Sequence, residues 1–308
     1  MPEGLVIKST GSRYRVLAGD GTLTECTIKG IFRVKGSRTT NPVAVGDRVT
    51  FETDAKDGSG VITEISAREN YIIRKASNLS KESQVIAANI DHLFLMITIC
   101  LPETPVEFID RFLVTSEAYR VPTSVIINKT DLYDEVQMAR MNSLVGIYSG
   151  IGYDCYPVSV TEESGTGKLI EAMKDRISLL SGNSGVGKTS LINHFNPGLD
   201  LRTGDISEYH RQGRHITTFP EMHPLPFGGY LIDTPGIRGF GMIDMKKNEI
   251  YHFFPEIFRK SAECRFHNCL HLEEPGCAVR KAVEEGVINE SRYRSYLSIF
   301  DDENRKYR

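Results

Sequence analysis

No stretch of this chain is apolar for long enough to cross a membrane as a helix. The longest such run, Leu93 to Leu101, has half the length a bilayer span requires and reads as a strand. The opening MPEGLVIKST lacks the apolar core of a secretory leader, so the expectation is a cytoplasmic protein. Internal repeats and low-complexity tracts are also missing, which argues against a solenoid. Cysteine is sparse along most of the chain. Cys26, Cys100 and Cys155 are scattered singles, the pattern of reduced thiols rather than of a disulfide framework. Net charge is only −3, but it is unevenly spread. Residues 1–50 hold eight Lys/Arg against four Asp/Glu, a net +4, which leaves −7 for the rest. A basic module on an acidic chain suggests a polyanionic partner, with a solvated charged face as the alternative.

What is present is ordinary globular material, 308 residues with 40% hydrophobic and 25% charged, enough for two or three domains. Residues 1–70 alternate in short runs (LVIKST, RYRVLA, TECTIKGIFR, DRVTFE, GVITEI) punctuated by Gly, Asp and Asn. About five strands in so short a span predict a small barrel of the OB or SH3-like kind. Residues 71–90 contain the polar stretch RKASNLSKESQ and read as linker or loop. From about 90 to 240, apolar strands (DHLFLMITI, TSVIIN, YDCYPVSV, ISLLS, GYLIDTPG) alternate with helical stretches at 105–120, 134–149 and 166–176. This is a multidomain α/β chain with a doubly wound, mainly parallel sheet at its centre. Residues 241–308 read as a helical domain with a cysteine cluster inserted.

Two motifs in the central domain carry chemistry. Residues 182–189, GNSGVGKT, match G-x-x-x-x-G-K-[ST] between a strand and a helix. Gly182, Asn183, Ser184, Gly185, Val186 and Gly187 would wrap backbone N–H groups around phosphates. Lys188 would reach the β- and γ-phosphates, Thr189 would ligate Mg²⁺, and Ser190 follows on the helix. A second Gly-Lys stretch, Gly165-Thr166-Gly167-Lys168, lacks the upstream glycine and reads as a turn and helix start. Residues 128–131, NKTD, follow the strand TSVII and match the guanine-reading N-K-x-D. Asp131 would accept from guanine N1–H and the exocyclic amine, which adenine cannot offer. Asn128, Lys129 and Thr130 would brace the loop, and the backbone at Ser159-Val160 would approach the guanine O6. Alone, NKTD could be a surface turn; with a phosphate loop in the same domain it reads as a base pocket.

The order of these parts is rotated. In an ordinary Ras-like GTPase the phosphate loop comes first and N-K-x-D later; here NKTD precedes GNSGVGKT, which precedes Thr217 and DTPG at 233–236. That order implies a circularly permuted GTPase domain over 71–240. Asp233 would hold Mg²⁺ through water, Gly236 would sense the γ-phosphate, and Thr217, favoured over Thr218, would give Mg²⁺ a second hydroxyl. The glutamine that orients water in Ras is absent: Ile237 follows DTPG. Hydrolysis then needs another group, and His215 is the nearest candidate in the sequence, with a solvated loop histidine as the alternative.

Cys264-x4-Cys269-x-His271-x5-Cys277 is a Cys₃His set suited to one tetrahedral structural Zn²⁺, with His267 an alternative fourth ligand by composition. Together NKTD, GNSGVGKT, the G-R-H-x-T-T stretch at 213–218, DTPG and the cysteine cluster resemble the circularly permuted ribosome-assembly GTPases of the RsgA/YjeQ type, over essentially the whole chain. The resemblance implies an N-terminal OB-fold, a permuted P-loop GTPase domain and a C-terminal zinc domain over 241–308. It implies His271 as the zinc ligand, His215 as the switch histidine suspected in catalysis alongside Lys188 and Thr217, and an apolar residue at 237. The family often has Thr where Ile216 stands, while Thr217 keeps the shared position. It also implies a monomeric GTP hydrolase that binds rRNA, is stimulated by the small ribosomal subunit and acts in that subunit's late maturation. The competing readings are an RNA-binding module that uses nucleotide only structurally, disfavoured by the intact Mg²⁺ set, and an ATPase, disfavoured by Asp131.

Overall fold

The structure, a computed structural model, describes residues 1–28, 42–54, 57–75, 83–199, 220–233 and 245–305. Five strands open the chain: β1 (Glu3–Ser9), β2 (Tyr14–Ala18), β3 (Leu23–Ile28), β4 (Arg48–Thr53) and β5 (Gly60–Ile65). Alternate residues point inward, as in Leu23–Ile28, where only Thr24 and Cys26 are buried. The inward set Val6, Tyr14, Val16, Cys26, Val49, Phe51 and Ile62 forms a core of its own. The strands pair in the order β1-β2-β3-β5-β4 and close through β1 with β4; β3–β5 is parallel. That closure gives an OB-like barrel and excludes the SH3-like alternative.

Residues 71–90 are not simply a linker. β6 (Tyr71–Lys75) and β7 (Ser83–Ala88) form an antiparallel hairpin. The polar stretch between the short apolar runs YII and VIAA hides their alternation, and residues 76–82 lie outside the described set. The hairpin also docks on the barrel: the Ala88 N–H donates to the Val45 carbonyl at 2.9 Å, and Asn89 Nδ2 donates to the Gly46 carbonyl at 2.9 Å. Gly46 has φ +90°, and a Cβ there would lie 2.0 Å from the Ala88 carbonyl oxygen, so only glycine fits the seam. Buried Asp47 braces the same loop, held by Arg68 Nε and Nη2 at 2.7 Å each and by the Ala44 N–H at 2.8 Å.

The central domain follows: β8 (His92–Ile97), α1 (Val106–Tyr119), β9 (Thr123–Ile127), α2 (Glu135–Ile151), β10 (Cys155–Pro157), α3 (Thr166–Met173), β11 (Ile177–Gly182), α4 (Lys188–Phe195), β12 (Glu221–Pro224) and β13 (Tyr230–Asp233). Its sheet runs β10-β9-β8-β11-β13-β12, parallel except for β12. Both faces of β8 are buried, which explains its unbroken apolar sequence. Leu93, Leu95 and Ile97 pack with α1 and α2, whereas Phe94 and Met96 pack with α3 and α4. Counted from the phosphate-loop strand β11, chain order rotates to β11, β12, β13, β8, β9, β10, and the sheet becomes 6-5-4-1-3-2. β12 was not expected from sequence; it also pairs with β1, with Lys8 opposite Glu221 and their side chains 2.7 Å apart.

The C-terminal domain comprises a 3-10 segment Lys247–Phe253, then α5 (Pro255–Ser261), α6 (Ala278–Glu284) and α7 (Glu290–Arg305). Its core includes Val114 of α1. Arg292 of α7 is fully buried, 2.7 Å from Asp110 of α1 and 2.7 Å from Glu256 of α5, and its guanidinium lies over the Phe254 ring. Among the described residues no helix is long and apolar enough to cross a membrane.

Candidate active site and metal centre

Parallel pairing turns the carboxyl ends of β9, β8, β11 and β13 toward one side of the sheet, where ligands bind in open α/β folds. NKTD leaves β9 there, GNSGVGKT leaves β11, and Asp233 closes β13.

The phosphate loop takes its shape from glycine. Gly182, Gly185 and Gly187 have φ of +150°, +84° and +103°. At Gly187 the reason is also steric: a Cβ would lie 2.3 Å from Asn128 Nδ2. Asn128 has come that close because its Nδ2 donates to the Val186 carbonyl at 2.8 Å, so the NKTD asparagine is bonded directly to the phosphate loop. Val186 is buried beneath the loop, while Ser184, Gly185 and Ser190 are exposed and Thr189 is half-buried at the start of α4. Lys188 Nζ donates to the carbonyls of Gly182 and Asn183, each at 2.7 Å, which folds the side chain back along the loop it follows. The decoy at 165–168 is a helix start, with Gly165 as the N-cap of α3.

The base-side loop is equally constrained. Asn128 is buried, and its Oδ1 accepts the Val160 N–H at 3.3 Å. Lys129 has a left-handed backbone and its Nζ donates to the Leu101 carbonyl. The Thr130 N–H donates to the Val158 carbonyl at 3.2 Å. Asp131 is exposed, and its Oδ1 accepts the hydroxyl of buried Ser159 at 2.6 Å, leaving its other oxygen to face a ligand. His215, Thr217 and Gly236 lie outside the described residues, as do Thr218, Ile237 and the side chain of Asp233.

The second centre is in the C-terminal domain. One ligand atom from each of Cys264, Cys269, His271 and Cys277 falls within 4.8 Å of the others, and the set can hold one metal ion. His271 Nδ1 lies 3.6 Å from the sulfurs of both Cys264 and Cys277, which are 4.0 Å apart. These spacings suit the edges of a tetrahedron with metal–sulfur bonds of about 2.3 Å and metal–nitrogen bonds of about 2.0 Å. Burial pushes the Cys269 thiol up to about 12 and raises that of Cys277, which a bound cation would offset; it also lowers His271, which keeps the imidazole in the neutral form that ligates metal. His267, the alternative fourth ligand, is exposed and outside the cluster. The His271 backbone is braced on both sides. Glu274 accepts the Leu270 and Leu272 N–H groups at 2.8 Å each, and the Tyr293 hydroxyl donates to the His271 carbonyl at 2.6 Å.

Residues 65–243 match the family model described as RsgA GTPase, and residues 3–62 match RsgA N-terminal domain. The chain belongs to the RsgA GTPase family. It is a GTP-hydrolysing enzyme. It is 55% identical over 307 residues, 99% of each chain, to the small ribosomal subunit biogenesis GTPase RsgA of Bacteroides fragilis, and 49% identical, over 99% of this chain and 98% of the other, to that of Christiangramia forsetii. Among solved structures it resembles YjeQ from Thermotoga maritima, with a TM-score of 0.81 and 36% identity over 98% of both chains. It also resembles YloQ, described as a circularly permuted GTPase, with a TM-score of 0.79 and 30% identity over 99% and 96%. The permuted order read from the motifs is therefore the order this family uses.

Sequence reasoning missed the turn after β8. Its Leu101 carbonyl takes Lys129, and Pro102 lies against Gly185. It also missed Tyr133, whose hydroxyl bonds the backbones of Asn128 and Ile99. Neither carries a motif; only their closeness to NKTD along the chain or in the sheet would have pointed to them.

Proposed function

We propose that this GTPase acts as a nucleotide-dependent switch in late maturation of the small ribosomal subunit, and that the subunit stimulates its hydrolysis. The observation that carries the nucleotide reading is the Asn128–Val186 bond, which joins a base-reading loop to a phosphate loop across one end of the sheet. In this reading Asp131 reads the guanine edge, Ser159 orients it, and the 182–189 backbone and Lys188 hold the phosphates. Thr189, Thr217 and Asp233 hold Mg²⁺, and Gly236 senses the γ-phosphate. The Cys₃His centre holds one structural Zn²⁺. Ile237 cannot orient water, so His215 is the proposed catalytic group and intrinsic turnover is slow, of the order of 10⁻² per second or less. The ribosomal part rests on the relatives' names and on the OB-like barrel with its excess of basic residues.

The test measures GTP turnover with and without purified small subunits, and co-sedimentation across a salt series in GDP and in a non-hydrolysable GTP analogue. Stimulation by subunits, with tighter binding in the analogue that weakens as salt rises, is expected. No sedimentation in either state would sink the ribosomal assignment; equal sedimentation in both would sink the switch.

A further inference from the structure

Tyr133 stands two residues beyond NKTD, belongs to no recognised motif, and touches both segments that frame the base side of the site. Its hydroxyl donates to the Asn128 carbonyl at 2.6 Å and accepts the Ile99 N–H at 2.8 Å. Each of those partners leads to the phosphate loop by its own route. Asn128 reaches it through the 2.8 Å bond from Nδ2 to the Val186 carbonyl. Ile99 opens the turn in which Leu101 accepts Lys129 Nζ, and the next residue, Pro102, lies so near Gly185 that a Cβ there would sit 3.4 Å from its Cδ. One hydroxyl therefore closes a circuit of backbone that passes through the base loop, the phosphate loop and the 98–104 turn. The ring packs on the sheet core, and burial pushes its pKa up to about 12, so the group keeps its proton through the physiological range.

We propose that Tyr133 is a positioning residue for guanine-nucleotide binding. Its hydroxyl sets the distance between the base loop and the 98–104 turn, and with it how tightly nucleotide is held. The proposal rests on NKTD being the guanine loop.

Tyr133→Phe keeps the ring and removes the hydroxyl. Dissociation constants of fluorescent GDP and GTP should both rise about tenfold, as expected for the loss of one or two net hydrogen bonds, mainly through faster release. KM for GTP should rise in step while kcat at saturating GTP stays within about twofold, a split that general destabilisation does not produce. Tyr148→Phe is the control. It removes a buried phenol hydroxyl from the same core, bonded to Asp110 rather than to the site, and should lower thermal stability with nucleotide affinity unchanged. Three outcomes overturn the proposal: wild-type affinity in Tyr133→Phe, a fall in kcat at constant KM, or equal weakening by Tyr148→Phe. Parallel titration of the unaltered protein with ATP separates the two levels. ATP binding as tightly as GTP would refute the guanine-loop reading itself, whereas GTP selectivity with an indifferent Tyr133→Phe would refute only the role of Tyr133.

Discussion

Arg292→Met should loosen the C-terminal domain from the GTPase domain. Methionine fills much of the arginine's volume, so little apolar contact is lost, and what changes is charge. Among the described residues, Asp110, itself fully buried, would keep only the Tyr148 hydroxyl at 2.9 Å, and its second oxygen already lacks a partner there. Glu256 is less affected, because its side chain is 10% exposed and can draw on water at the rim. Stranding one buried carboxylate costs about 3–5 kcal/mol, and losing the guanidinium from the fully buried Phe254 face adds about 2 kcal/mol. A weakening of about 5–7 kcal/mol is thus expected at the seam between α1 and α7. The chain has several domains, so a single unfolding midpoint would blur the effect. Hydrogen exchange under increasing urea, read in Val106–Tyr119 and Glu290–Arg305, isolates it. Adding Asp110→Asn to Arg292→Met removes the stranded charge and should recover about half of the loss. A single variant costing less than about 1 kcal/mol, or a double variant no better than the single, would refute the assignment of this pair as the domain lock.

Four further outcomes are expected. Asp131→Asn should weaken GTP binding by about tenfold or more and admit xanthine nucleotide, read by competition titration. His215→Ala should leave GTP affinity near normal and reduce subunit-stimulated kcat; an unchanged stimulated kcat would remove His215 from the mechanism. Metal analysis should find one zinc per chain, and stripping it should speed hydrogen exchange first at 264–277 and then in α7, whose Tyr293 and Tyr296 hydroxyls hold the His271 and Leu270 carbonyls. Burial and the nearby Arg176 charge, opposed in part by Asp154 and Asp91, lower His92 to about 4 from 6.5. Its neutral form is the one the fold accommodates, so stability should be full above pH 6.5 and fall by roughly 2–3 kcal/mol as pH drops toward 4. His92→Gln should flatten that slope in urea titrations at several pH values.

The parts legible in the sequence are those where chemistry or burial restricts residue choice. A phosphate loop needs glycines at fixed spacing, and a strand covered on both faces needs an unbroken apolar run such as LFLMI. Four metal donors need clustered Cys and His, although spacing alone left His267 and His271 open until Nδ1 of His271 met the sulfurs. What stayed hidden depends on partners far away in sequence. Arg292 sits in ESRYRSYLSIF, which looks like a solvated charged helix until Asp110 is brought to it from 182 residues away. β12, EMHP, is too short and too polar to announce itself, and is a strand because β13 and β1 lie on either side. The hairpin of β6 and β7 is masked by its own polar turn.

That flanking of β12 gives the barrel a duty unrelated to any ligand. β12 ends the catalytic sheet, and β1 occupies its outer side. A GTPase unit severed after residue 70 would present β12 as a bare edge, with unpaired N–H and C=O groups ready to accept a strand from another molecule. Such a fragment should self-associate even where its nucleotide site is intact. Shortening the chain to the minimal catalytic unit is therefore expected to fail first as a problem of aggregation, and light scattering would register it before any loss of GTP binding.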